Sequence, residues 1–255
     1  MEYCIETNNL TKAFGEKVAV VHLNIQVEQG SFYGFLGPNG AGKSTTIKML
    51  TGILGPTAGD ARILGYRMDR QPLKVKQRIG VVPEQLSLFE NLNAQEYLMF
   101  IGRMYKMPKP VIQRRSEELL ALLGLADTGN TLTLEFSHGM KKKLSLAGAL
   151  IHDPDLLFLD EPFEGIDAIA SRTIRTVLEQ FVARGSTIFI TSHILEIVER
   201  LCSHVGIISQ GSLVQQGTLA EVTRGGRLEE AFVNALGDAE TAQSTGLSWL
   251  GGGVA

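Results

Sequence analysis

The sequence predicts an α/β protein: a mainly parallel sheet covered by helices on both faces, with an N-terminal antiparallel β-subdomain and an inserted α-helical subdomain. Three observations predict it. Short apolar runs such as "SFYGFLG" and "DLLFLDEP" have the length and composition of strands buried on both faces. Along most of the chain such runs alternate with helical patterns, the order that yields a parallel sheet. One of them leads into "GPNGAGKST", Gly37 to Thr45, a glycine-rich turn between a strand and a helix.

Residues 3 to 37 read as strands. In "VAVVHLNIQV" Leu23, Ile25 and Val27 alternate with polar neighbours, which marks a half-buried strand, and "SFYGFLG" is a buried one. From Lys43 a helix runs to about Thr51, followed by the loop "GILGPTAGD", a strand near "ARILG" and a more apolar strand "RIGVVP" over 78–83. The inserted lobe comes next. "NAQEYLMFIGRMYKM" and "KPVIQRRSEELLALLGL" carry apolar residues at helical spacing and are separated by Pro108 and Pro110. A helix opening at Ser137, the strand "LLFL", a helix over 168–183, the strand "STIFIT", a helix from His193 and two short strands over 205–216 complete the pattern. The last stretch, 238–255, ends in "GGGVA" and reads as a flexible tail.

The chain has 255 residues, 44% of them hydrophobic and 20% charged, enough to bury one large core plus an inserted lobe. A formal net charge of -3 without a long basic run argues against a nucleic-acid track or an electrostatic membrane anchor. The run "KKK", Lys141 to Lys143, sits in a helical pattern and reads as a solvated or partner-facing stripe. Cys4 and Cys202 lie far apart and give neither a disulfide framework nor a metal-ligand spacing, which fits a reducing compartment. There is no signal-peptide pattern, and the apolar runs stop short of the roughly 18 residues that span a bilayer. The expected location is cytoplasmic.

"GPNGAGKST" fits G-x-x-x-x-G-K-[ST] in the strand-to-helix context that makes the pattern specific. Gly37, Gly40 and Gly42 free the backbone to turn its N–H groups toward phosphate oxygens, with Pro38, Asn39 and Ala41 completing the cradle. Lys43 would neutralise the terminal phosphates, Ser44 would ligate Mg²⁺, and Thr45 closes the motif. The bland alternative is a glycine-rich turn that only starts a helix. In "DLLFLDEP" Asp160 and Glu161 emerge at the carboxyl end of a buried strand, the edge at which such sheets bind ligands. Asp160 is a candidate Mg²⁺ ligand and Glu161 a candidate acceptor of a proton from attacking water; an acidic turn is the alternative. His193 follows the next buried strand and would stand beside Glu161, although a lone histidine is more often structural.

These motifs, in this order, resemble the ATP-binding subunit of an ABC transporter over nearly all of residues 1 to 236. The resemblance implies a P-loop NTPase-type core with ATP and Mg²⁺ bound at the loop. It places Phe14 of "KAFG" against adenine, makes "FSHGM" the counterpart of the family's Leu-Ser-Gly-Gly-Gln signature, Asp167 that of its D-loop, and His193 its switch histidine. Ser137 and Gly139 would then contact the γ-phosphate of an ATP held by a second copy, so two chains would pair head to tail. A helix N-terminus favours an anion in any case, and Ser137 can also act as a simple N-cap. The sequence departs from the family at His138 and Met140 within the signature, and at Glu84, where the family has a metal- and water-contacting Gln; either Glu84 or the adjacent Gln85 could serve in that role. "FSHGMKKKLSLAGAL" and "VVPE" resemble most closely the ABC-2 exporter branch, whose permeases are separate membrane proteins.

By that resemblance the chain is an ATP-hydrolysing subunit, peripheral on the inner face of the cell membrane, that drives a separate transmembrane permease through dimer closure and opening. Residues 1–237 would form the ATPase domain, with a helical subdomain at about 86–150. A soluble ABC-type ATPase acting on DNA or ribosomes is the competing class; the short spacing between Lys43 and Ser137 leaves no room for the long coiled-coil insertion such proteins carry. A catalytically silent ATP-binding regulator is a third, weakened by the presence of Glu161 and His193. A GTPase is excluded by the lack of an Asn-Lys-x-Asp segment.

Overall fold

The structure is a computed structural model that describes residues 2–237; the tail expected at 238–255 lies outside the described residues. The chain opens with β1 (Tyr3–Phe14), β2 (Lys17–Leu23), β3 (Gln26–Glu28) and β4 (Phe32–Leu36), followed by α1 (Lys43–Leu50). Next come β5 (Ala58–Ile63), β6 (Tyr66–Arg67), α2 (Pro72–Lys76) and β7 (Ile79–Val82). The lobe consists of α3 (Ala94–Met104) and α4 (Lys109–Leu122), and α5 (His138–Leu150) returns the chain to β8 (Leu156–Asp160). It continues through α6 (Ala168–Ala183), β9 (Thr187–Ser192), α7 (Leu195–Leu201), β10 (His204–Ser209), β11 (Ser212–Thr218), α8 (Leu219–Thr223) and α9 (Leu228–Gly237).

Two sheets result. The antiparallel one has the order β2-β1-β5-β6, with β3 also paired to β1, and the larger one runs β11-β10-β4-β9-β8-β7. In the larger sheet every neighbouring pair is parallel except β10–β11. The reason is visible in the sequence: every residue of β4, β8 and β9 is buried, as strands covered on both faces must be. Successive side chains alternate between the faces. Leu157, Leu159, Ile188 and Ile190 join the core beneath α3, α5 and α6. Leu156, Phe158 and Phe189 join the core shared with α1 and the antiparallel sheet, where Tyr33, Phe35 and Phe158 gather around Phe189 with ring centroids 5.4 to 5.6 Å apart. Burying each such side chain contributes about 1.5–3 kcal/mol, so these strands anchor the molecule.

Helix starts follow local chemistry. Asn93 and Glu96 form a reciprocal capping box at α3, Ser137 accepts from Met140 N–H at α5, and Asp167 accepts from Ala170 N–H at α6. Three short helices, α2, α8 and α9, went unpredicted, although Thr218 and Glu221 form a legible capping box at α8. The helix expected from His193 begins two residues later, at Leu195, because Ser192 Oγ accepts from Ile194 N–H and holds the chain extended there. A further correction concerns the "KKK" run: Lys142 is not solvated but 3% exposed.

Candidate active site

The carboxyl ends of β4, β8 and β9 lie side by side, with Leu36 in register with Ser192 and Asp160 with Thr191. A cleft of about 660 Å³ opens there, lined by residues of the glycine-rich loop and by Phe14, Lys17, Glu84, Glu161, Glu164 and His193. The loop's shape depends on two glycines. A Cβ at Gly37 would fall 2.4 Å from the Ile208 carbonyl oxygen, and one at Gly42, where φ is +108°, would fall 2.6 Å from that of Ala19. Neither position accommodates a side chain, so the loop can press against the neighbouring strands and turn directly into α1.

Lys43 is 7% exposed. Its Nζ donates to the carbonyls of Gly37 (2.7 Å) and Pro38 (3.3 Å) and stands 3.9 Å from Glu161 Oε1. The Ser44 hydroxyl lies 3.3 Å from Asp160 Oδ1 and 3.4 Å from Glu84 Oε2, so one hydroxyl and two carboxylates converge from α1, the end of β8 and the loop after β7. Asp160 also accepts from the Thr191 hydroxyl at 2.6 Å. Phe14 is half exposed at the rim, with Lys12 Nζ 5.2 Å from its ring centroid. Asn39, Gly40 and Thr45 line the same cleft, whereas Pro38 is exposed outside it and Ala41 is buried in the core beneath the loop.

Glu161 is buried and holds a left-handed backbone, φ +49°, a conformation rare outside glycine. Its N–H reaches the Thr191 carbonyl (3.2 Å) and hydroxyl (3.1 Å). Its Oε2 is 2.9 Å from His193 Nδ1 and 3.3 Å from His193 N. A carboxylate only accepts, so Nδ1 carries the hydrogen in that bond, which fixes the tautomer of the neutral ring.

Not every candidate residue lines the cleft. Glu84 lines it, whereas Gln85 is exposed beside it and is not part of its wall. Ser137 is exposed at the start of α5 and also lies outside the cleft; Gly139 is buried, and a Cβ there would come within 3.8 Å of Asp167 Oδ2. Ser137, Gly139 and Asp167 therefore form a second locality, made of the adjoining starts of α5 and α6. Thr191 and Lys142 were missed by sequence reasoning. Thr191 was findable from its place at the end of β9 next to Asp160. Lys142 was not, because a lysine between two lysines gives no sign of burial. Burial pulls its pKa down, opposed by the carboxylates of Glu164, Glu161, Glu84 and Asp160.

Comparison with known proteins agrees with this geometry. A family model described as ABC transporter matches residues 20–164. The bacitracin transport ATP-binding protein of Bacillus licheniformis is 42% identical over 217 residues, covering 85% of this chain and 70% of that protein. The linearmycin resistance ATP-binding protein of Bacillus subtilis is 38% identical over 218 residues, 86% and 70% of the two chains. Among solved structures, an ATP-binding subunit of an ABC transporter superposes with a TM-score of 0.85 at 30% identity, over 91% of this chain and 99% of the other. A dimeric ATP-binding cassette bound to ADP and Pi shares the fold, with a TM-score of 0.77 at 23% identity over 84% and 98%. The chain belongs to the ABC transporter family and is one of its ATP-binding, ATP-hydrolysing subunits, of the exporter type.

Proposed function

We propose that two copies of this subunit, or this chain and a close counterpart, close head to tail around two ATP molecules and so power export through a separate transmembrane permease. One observation carries the reading. The chain has two places fit for phosphate, the glycine-rich loop and the start of α5, and Ser137 at the second does not line the cleft of the first. A self-complementary pairing uses both, each subunit's Ser137 and Gly139 completing the other's site, with Asp167 beside them. Residues 1–237 act as the ATPase unit, and the helical part at about 86–150 moves with the nucleotide.

Within one site the roles follow from placement. The loop from Gly37 to Thr45 wraps the phosphates, Lys43 gives up its carbonyl partners for them, and Phe14 offers a flat apolar face to adenine. Ser44, Asp160 and Glu84 supply hard oxygen donors that suit Mg²⁺, and they would hold it. When bound, that ion neutralises charge on the phosphate oxygens. Glu161 takes the proton of the attacking water as its oxygen bonds to the γ-phosphorus and the bond to ADP breaks, and His193 holds the carboxylate in line. Such chemistry depends mostly on positioning and charge.

Among the described residues no helix is long and apolar enough to cross a membrane. As the family membership supports, the subunit sits at the cytoplasmic face of the membrane, docked on a separate permease. A groove beside β7 suits that contact. Ile53, Pro83, Leu88, Tyr97, Ile101 and Tyr105 line it, and it adjoins Glu84, so a change at the γ-phosphate reaches the bound partner. The test is Glu161→Gln: turnover should fall about a hundredfold or more while ATP still binds, and the ATP-loaded chain should elute as a dimer in gel filtration. Ordinary turnover in that variant would remove the base assignment.

A further inference from the structure

Lys142 is 3% exposed, and a buried ammonium is costly unless specific partners compensate it. Its Nζ donates to the backbone carbonyl of Glu161 at 2.5 Å. That carbonyl receives only one other bond among the described residues, a longer one of 3.3 Å from Glu164 N–H. Glu161 needs such support. Its φ of +49° is unfavourable for a residue with a side chain, and it persists only where the surroundings hold both flanking peptides. Thr191 on β9 holds the N–H side, and Lys142 on α5 holds the carbonyl side. The side chain between them meets His193 and faces Lys43. A lysine side chain is long enough to make this contact from inside α5, and its charge faces four carboxylates that would otherwise repel one another.

We propose that Lys142 is a positioning residue for ATP hydrolysis: by binding the Glu161 carbonyl it fixes the left-handed turn that points the Glu161 carboxylate into the cleft. The inference rests on Glu161 being the base. Lys142 touches neither nucleotide nor water in this role and acts through Glu161 alone. Losing it lets the turn relax toward an ordinary backbone, which moves the carboxylate by an ångström or so, and a shift of that size costs about a hundredfold in rate. Nucleotide affinity, set by the glycine-rich loop, stays nearly unchanged.

The experiment measures kcat and the ATP dissociation constant of the full-length chain for Lys142→Met, for Lys142→Arg, and for Lys142→Met combined with Glu161→Gln. Lys142→Met should lose about tenfold to a hundredfold in kcat with affinity held within about threefold. Lys142→Arg, which keeps a long cationic donor, should recover most of the loss. The double variant should be no slower than Glu161→Gln alone, since a residue that acts through Glu161 has nothing left to position. Wild-type kcat in Lys142→Met overturns the proposal, as does further slowing of Glu161→Gln by the added Met. Should Lys142→Met lack a cooperative melt, Lys142→Gln, which removes the charge and shortens the donor, is read by the same criteria. Normal turnover in Glu161→Gln would instead refute the base role, whatever Lys142 does.

Discussion

His152 shows how a single residue can set the acid limit of the fold. Its ring stacks on Tyr105 with centroids 3.6 Å apart, and Nε2 lies 3.0 Å from the Ile79 carbonyl, so Nε2 donates. Nδ1 is buried without a partner among the described residues. Burial is the main cause that pulls its pKa down to about 4; the Ile79 bond and Asp153 push the other way, and Arg115 adds to the drop. The unfolded chain takes up this proton near pH 6.5, well before the folded one does, so stability falls as pH drops from about 6.5 to about 4 and levels off below. The contribution is at most about 3 kcal/mol. In His152→Phe the denaturation midpoint should change less over that interval than in wild type. The loss of the Ile79 bond is the same at every pH and leaves the slope untouched. An identical slope in both proteins would show that His152 does not titrate this way. At the residue scale legibility divides by the kind of signal. Glu161 and Lys43 stood in patterns whose chemistry demands those residues, whereas the roles of His152 and Lys142 depend on burial that no local pattern announces.

Among the elements, the α3–α4 hairpin contains a glycine that looks out of place. Gly102 lies inside α3, where an alanine would stabilise an isolated helix by about 1 kcal/mol. Packing explains it. A Cβ at this position would come 2.6 Å from Ile112 Cγ1 and 2.9 Å from its Cδ1 and Cγ2, and Ile112 is fully buried in α4. Overpacking of that severity costs about 1–3 kcal/mol, more than the propensity gain, so Gly102→Ala should lower stability in a urea melt. Adding Ile112→Val, which removes a methyl from the contact, should restore part of the loss. A Gly102→Ala protein more stable than wild type would mean that the two helices yield easily. The same hairpin shows what the sequence could reveal at this scale. The helices themselves were legible from apolar spacing and from Pro108 and Pro110, and the buried strands β4, β8 and β9 from their unbroken apolar runs. The pairing partner of each face was not, because Gly102 and Ile112 meet only in three dimensions. The five-residue α2 also escaped, since so short a helix provides too few turns for a period to stand out.

For the whole molecule the decisive question is whether one chain completes a site. The cleft holds Lys43, Ser44 and Glu161 at the carboxyl edge of the sheet, and Ser137 stands outside it at the start of another helix. Within one subunit the two halves have no substrate in common. In a head-to-tail pair they do, and this arrangement makes a quantitative demand. Lys43→Ala removes the phosphate cation and Ser137→Arg blocks the start of α5, so each variant alone should hydrolyse almost no ATP, although Ser137→Arg should still bind it. When the two are mixed in equal amounts, about half of the dimers contain one of each. Such a dimer has one site with both defects and one site with neither, since the intact loop of the Ser137→Arg subunit faces the intact Ser137 of the other. If the sites act independently, turnover should return to about a quarter of the wild-type value. A mixture no more active than its components would contradict the shared site, because side-by-side or self-contained sites leave every subunit defective in its own right. Recovery would also show that the second phosphate-binding helix start belongs to the assembly and not to the isolated chain.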